Sequence, residues 1–246
     1  MRKRAGTDVG IGTAKLNRVS TVEALADALR ELVLNAQITP GTPLREAQLA
    51  DQFRVGRHSV RAALQLLTRE GLLIHEPNRG ASVPVYDEED IEDIFRLRSA
   101  LELEGASMLA RQRLAPQEAA LAAERMAHLP RKAPWSQIVK SELEFHLALM
   151  EATRSERLVR VYRALQSEIG LCIVLQKHTY DSPSAVAAEH QQLLTVLETR
   201  GIGEVREAFR RHIGDTLAWL RPPQSADPAA IVEKQPGPKE GKRSRR

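Results

Sequence analysis

Residues 44–73 read LREAQLADQFRVGRHSVRAALQLLTREGLL, and the punctuation of this stretch decides the first third of the chain. It predicts a short helix from about Arg45 to Phe53, a tight turn at Val55-Gly56, and a longer helix from about Arg57 to Glu70 that Gly71 ends. In the longer helix Val60, Leu64 and Leu67 recur at helical spacing and form an inward face. Arg57 and Arg61 are four residues apart and share the opposite face.

Upstream, Ser20 and Glu23 form an S-x-x-E capping box. It opens a helix with apolar positions at Val22, Leu25, Ala26, Leu29, Leu32 and Val33, expected to stop near Ile38, before the turn pair Pro40-Gly41. Downstream, Leu72–His75 and Ala81–Val85 are short apolar runs on either side of Pro77-Asn78-Arg79-Gly80, the pattern of a β-hairpin with a polar tip. Helix, turn, helix, hairpin is the order of a winged helix-turn-helix. In that arrangement the third helix of the chain enters the major groove, its N-terminal residues nearest the bases. Arg57, His58, Ser59 and Arg61 occupy that end. An arginine fork matches the two acceptors of guanine. Arg45 is placed for a phosphate, and Asn78, Arg79 and Gly80 for the backbone or minor groove. Any one of these arginines read alone is as well explained by simple solvation. The ordered set of turn, arginines, glycine and hairpin favours DNA.

Net charge does not make that argument. The chain is +4 with a pI near 9.4. Residues 1–20 hold five basic against one acidic residue, and residues 221–246 seven against three. Between them, residues 21–86 balance seven arginines with seven acids, and 87–220 carry the negative remainder. The basicity belongs to the two ends, which read as a flexible arm over 1–19 and a disordered basic tail over 221–246. Apolar residues are 42% of the chain and aromatics only 4%, a Leu, Ala and Val composition that favours packed helices. The single Cys172 excludes an internal disulfide and suits a reducing cytosol. No apolar run reaches membrane-spanning length and no signal-peptide pattern is present, so a cytoplasmic, nucleoid-associated protein is expected.

From Asp87 the pattern is helical throughout, with helices expected at roughly 87–113, 116–128, 136–153, 155–178, 184–200 and 203–220. Pro116 is read as a first-turn proline, and Ser155 and Ser184 as N-caps. Short joints between six helices imply an antiparallel all-α bundle. The chain is thus mainly α, with a winged helix-turn-helix domain over 20–86 and a helical bundle over 87–220. Within the bundle, Glu142 and His146 are one turn apart on one helix, with His190 and His212 on two later helices that could turn them toward the same point. Imidazoles and a carboxylate suit a divalent metal, Zn²⁺ first and Ni²⁺, Mn²⁺ or Fe²⁺ as alternatives.

The motifs PG-x-x-L-x-E-x-x-LA at Pro40–Ala50, V-G-R-H-S-V-R-A-A-L at Val55–Leu64, Glu70-Gly71-Leu72 and Asn78-Arg79-Gly80 resemble the GntR family of bacterial transcription regulators. The resemblance implies DNA contacts from Arg45, Arg57, Arg61 and the wing at Arg79-Gly80. Gly56 stands where the family has a serine cap, and His58-Ser59 where it has Thr-Pro. Residues 87–220 resemble the FCD ligand-binding domain of the FadR-type branch, through Arg98-Ser99-Ala100-Leu101-Glu102, Glu142–His146, Glu189-His190 and Arg211-His212. That branch forms dimeric helical bundles that often hold a metal by one Asp and three His. The matching positions are Glu142, His146, His190 and His212, with glutamate as a departure.

Arg98 matches an arginine expected to face the same cavity, where it could clamp an acid; an ion pair with Glu102 is the alternative. The resemblance implies no enzyme but a homodimeric repressor or activator on a near-palindromic operator, tuned by a small carboxylic acid beside the metal. A regulator for which the ion itself is the signal is the second reading, and a metal-dependent hydrolase the third.

Overall fold

The computed structural model describes residues 20–76, 79–174 and 182–220, apart from the side chain of Trp219. The expected arm, the tail, Pro77, Asn78 and the end of the 155–178 helix lie wholly or partly outside the described residues. These residues form two compact units, one of 20–33 and 38–84 and one of 34–37 and 85–220. The first-unit boundary falls two residues before the expected Tyr86.

The first unit runs α1 (Thr21–Leu34), β1 (Pro43–Leu44), α2 (Glu46–Phe53), α3 (Arg57–Arg69), β2 (Ile74–Glu76) and β3 (Gly80–Ser82). The capping box is formed: Glu23 N donates to Ser20 Oγ, and Ser20 N to the Glu23 carboxylate. Leu25, Ala26, Leu29 and Val33 of α1, Val60, Ala63, Leu64 and Leu67 of α3, and Leu72 and Leu73 form the buried core. Three details differ from the sequence reading. Helix α1 ends at Leu34, four residues early, where Ala36 takes a φ of 57° and Ile38 N turns back to the Leu32 carbonyl. The left-handed turn residue between α2 and α3 is Arg54, φ 54°, which caps α2, while Gly56 is extended at φ −66°. The hairpin gains a third strand: β1 pairs antiparallel with β3, giving the order β1-β3-β2.

The second unit comprises α4 (Glu88–Gln112), α5 (Gln117–Ala127), α6 (Trp135–Ala152), α7 (Glu156–Val174), α8 (Pro183–Thr199) and α9 (Ile202–Leu220). Helix α4 is the central element, packed against α6, α7, α8 and α9. Asp87 and Asp90 form its capping box. Gly105 in α4 lets Met150 of α6 approach so closely that an added Cβ would sit 2.5 Å from its methyl carbon. Ser182, not Ser184, caps α8, because Pro183 takes the first helical position, which puts the cap two residues earlier than expected. Pro116 is one residue further out than expected, at the N-cap of α5. Residues 34–37 belong to this unit through Asn35, which exchanges two hydrogen bonds of 3.0 Å with Ser136 at the start of α6. Among the described residues no helix is long and apolar enough to cross a membrane.

Cys172 on α7 is fully buried, and burial, helped by the nearby Glu168 charge, pushes its thiol up to about 12. Almost none is thiolate at pH 8, so iodoacetamide should label the native protein far more slowly than the urea-unfolded one. Labelling at the same rate in both, followed by mass spectrometry, would show that α7 opens readily at this point.

Candidate metal centre and DNA-reading face

The all-α unit has a polar node in its core. Helix α6 places Glu142 and His146 one turn apart on its inner face, α8 contributes His190 and α9 contributes His212. All four are buried, and one donor atom from each lies within 4.8 Å of the other three. The Phe145 ring meets His146 and His190 edge-on at 5.1 and 4.5 Å and walls off one side.

Hydrogen-bond partners assign the ring nitrogens. His190 Nδ1 is 2.7 Å from the Val186 carbonyl, which can only accept, so Nδ1 donates there and Nε2 is the ring nitrogen turned toward Glu142. It sits 2.6 Å from Glu142 Oε2, at ion-pair distance. His146 Nδ1 lies 2.8 Å from Glu102 Oε2, at ion-pair distance but off the N–H direction. Its Nε2 is 3.3 Å from both Glu142 Oε1 and His212 Nε2. Ligand-type nitrogens and carboxylate oxygens at such separations need positive charge among them, from ring protons or from a bound cation. Burial and the charges of His190 and His146 push His212 well below the ordinary histidine range, so it is a neutral donor. Burial opposes ionisation of Glu142, but the attraction of the close His190 and His146 rings outweighs it and holds the carboxyl well below its usual range. A buried, deprotonated carboxylate and inward-facing imidazole nitrogens are the donor set a divalent cation needs.

Behind the node lies a network. Arg98 is fully buried, with its Nε donating to Glu102 Oε1 at 2.7 Å and its Nη2 to Glu142 Oε1 at 3.3 Å. Tyr162 OH donates to the same Glu102 oxygen at 2.7 Å. The Arg98–Glu102 ion pair is therefore made, and it still leaves Arg98 Nη1 without a hydrogen-bond partner among the described residues. Glu102 stands at ion-pair distance from His146 as well as Arg98, a placement the sequence did not signal. Tyr162, on α7, had no sequence signal at all. A groove of about 180 Å³ between α8 and α9, lined by Glu189, Arg211, His212 and Asp215 among others, reaches the node from the surface.

In the first unit, Arg57 and His58 are exposed and Ser59 half-buried at the start of α3. Gly56 gives α3 no side-chain cap, as expected from the missing hydroxyl. Arg45 is exposed at the N-cap of α2. Arg45 and Arg57 make no ion pair among the described residues, whereas Arg79 pairs with Glu76 at 3.1 Å. Gly80, at φ 84°, starts β3. Arg61 is held by Glu46, its Nε donating to Oε1 and its Nη2 to Oε2, each at 2.8 Å. That pair of hydrogen bonds lowers the Glu46 carboxyl below its usual range. A groove of about 700 Å³ between α3 and the hairpin is lined by Arg45, Arg61, Arg69, His75 and Arg79 among others. Arg69 and His75 join a face that the sequence reading built without them. Asn78 lies outside the described residues.

Two family patterns match the chain. Residues 21–83 match bacterial regulatory proteins of the gntR family and residues 93–215 match the FCD domain. The Nta operon transcriptional regulator of Aminobacter aminovorans is 30% identical over 140 residues, covering 56% of this chain and 66% of that protein. The HTH-type transcriptional repressor RspR of Escherichia coli (strain K12) is 24% identical over 197 residues, 78% of this chain and 86% of that one. Among solved structures, a GntR transcriptional regulator from Rhodococcus sp. RHA1 superposes with a TM-score of 0.66 at 22% identity, and E. coli McbR/YncC with 0.63 at 22%. Each covers 82% of this chain and 98% of its own. At that identity the two structures speak for the fold alone.

Removing one partner of a buried ion pair strands the other. Glu102→Gln should therefore lower the unfolding free energy by about 3–5 kcal/mol in urea denaturation followed by circular dichroism. Tyr162→Phe, which deletes one donor to the same carboxylate, should cost less, about 1.5–3 kcal/mol. An unchanged midpoint in Glu102→Gln would mean that water reaches Arg98.

Proposed function

This chain belongs to the gntR family of bacterial regulatory proteins and is a DNA-binding transcriptional regulator with an FCD domain, and we propose that a small carboxylic acid, bound beside a divalent cation in its helical bundle, sets its affinity for an operator. The observation that carries this reading is the buried charge balance. One guanidinium, Arg98, faces two carboxylates, Glu102 and Glu142, which hold His146 toward its protonated form, so once the imidazoles shed protons to ligate a metal the node is short of positive charge. A divalent cation held by Glu142, His146, His190 and His212 reverses that balance, and one carboxylate from a ligand restores it. The cation supplies a fixed positive charge and Lewis-acid attraction for that carboxylate; zinc suits three imidazoles and a carboxylate best. Arg98 Nη1 is the protein's own donor for the acid, since Nε and Nη2 are already engaged. The groove ending at His212 is the route in.

On the DNA side, α3 enters the major groove, with Arg57, His58, Ser59 and Arg61 over the base edges and Arg45, Arg79 and Gly80 toward the backbone. Two copies on the two halves of a near-palindromic operator provide the usual symmetry match. We take repression as the direction, since the relative RspR is a repressor. The work is done in the cytoplasm, beside the chromosome. The acid must bind the two bundle states with different affinity, otherwise operator binding does not move.

The metal half is checked by elemental analysis of purified protein. The wild type should carry a bound divalent ion, and the triple His146/His190/His212→Ala variant should not. A panel of mono- and dicarboxylic acids should then raise the Tm of the wild type and leave the triple variant unmoved. Operator affinity that tracks free metal with no acid present would instead make the ion the signal. For the DNA half, Arg57→Ala should cost about 1–3 kcal/mol on the operator and relax choice at one base position. Equal losses on operator and random DNA would make Arg57 a phosphate contact.

A further inference from the structure

We propose that Glu46 is a positioning residue for base reading: its carboxylate grips one edge of the Arg61 guanidinium and presents the other edge, fixed in direction, to a guanine. The proposal rests on the reading that α3 enters the major groove, and adds what selects the target of one of its arginines.

The geometry is bidentate. Glu46 takes the Nε and Nη2 donors of Arg61, each at 2.8 Å. A guanidinium has five N–H donors, so two on Nη1 and one on Nη2 remain. The remaining edge still offers two parallel donors, which is the pattern guanine O6 and N7 accept. Both residues stand on fixed backbone. Glu46 is the first residue of α2 and Arg61 lies in the second turn of α3, with Leu49 and Ala50 of α2 and Val60, Ala63 and Leu64 of α3 buried beneath them.

Stability does not account for the pair. The two side chains are 60% and 35% exposed, and exposed pairs contribute little. What the pair does is fix a long, rotamer-rich side chain before DNA arrives, so less freedom is lost on binding. It also chooses the kind of atom Arg61 can meet. A carboxylate on the guanidinium cancels its charge and repels a phosphate brought to the same group, whereas a guanine edge is neutral. Arg57, one turn earlier on the same face, makes no ion pair among the described residues and stays a full cation. The two arginines therefore divide the work: Arg61 discriminates, and Arg57 also attracts.

The test uses the full-length protein. Its preferred site is first selected from a random-sequence duplex library. Binding to that site, to a copy with the guanine at the Arg61 position replaced, and to scrambled duplex is then followed by fluorescence anisotropy at two salt concentrations. Arg61→Ala should lose about tenfold or more in preference for that guanine, with little change in salt dependence. Glu46→Gln should lose most of the same preference while binding scrambled duplex as tightly as wild type or more tightly, because a charge that repels phosphate is gone. The double variant should discriminate no worse than Arg61→Ala alone. Glu46→Gln with wild-type discrimination overturns the proposal. So does a parallel loss on selected and scrambled DNA, which is the signature of a misplaced helix. If Arg61→Ala itself keeps the preference, Arg61 reads no base and the proposal falls with it, while entry of α3 into the groove is judged separately by Arg57→Ala.

Discussion

A buried guanidinium has to be answered, and much of the bundle core is arranged around the answer to Arg98. Its side chain has no exposure and its charge cannot be relieved by losing a proton; its carboxylate neighbours raise its pKa further above an already high value. Glu102, one turn along α4, is held ionised against the cost of burial by Arg98 and His146. Tyr162 reaches in from α7 to share the same oxygen. Glu142 meets Arg98 from α6 and His190 from α8, and His146 faces His212 on α9. Five helices converge on one connected set of charges and rings. Apolar substitution of such a set often stabilises a core, so stability alone does not account for it. Its four converging donor atoms match the set a divalent cation needs.

The DNA-reading unit applies the opposite electrostatics. It balances seven arginines with acids and buries none of its charges. Arg30 is tied to Glu70 and Asp27, Arg61 to Glu46, and Arg79 to Glu76. A surface that is neutral in sum but patterned in detail binds DNA through where its unpaired donors point more than through bulk attraction. The unbalanced positive charge sits instead at the two ends of the chain.

How much of this could be read in advance depends on the range of the forces involved. The capping box at Ser20 and Glu23 and the one-turn pairing of Glu142 with His146 are local, set by helix geometry, and were legible residue by residue. So were α2, α3 and the hairpin runs, because turn residues and apolar spacing agree there. Strand β1 was not, since two residues have no periodicity and exist as a strand only because β3 lies beside them. Placing the left-handed turn on Arg54 instead of Gly56 is a cap satisfied by the α2 carbonyls, and no propensity favours arginine there. The early end of α1 likewise comes from the return of Ile38 to Leu32. That His190 and His212 turn toward Glu142 was suggested by spacing and by family resemblance. That Glu102 lies against His146, and that Tyr162 donates to Glu102, is pure tertiary placement and left no mark in the sequence.

The chain order gives the node its leverage. The first unit ends at Pro84, and the next helix, α4, starts at Glu88 and carries both Arg98 and Glu102. On the proposed reading, a ligand carboxylate drawn to Arg98 Nη1 would act on the helix that directly continues from the first unit. Helix α6, which bears Glu142 and His146, is pinned at Ser136 by Asn35, one residue beyond the end of α1. The chain therefore leaves the node's helices for the first unit by two short covalent paths, through residues 34–37 and through 85–87. Both paths start from helices that carry the node's charged residues, so the proposed acid effector would bind close in sequence to where the chain leaves for the first unit.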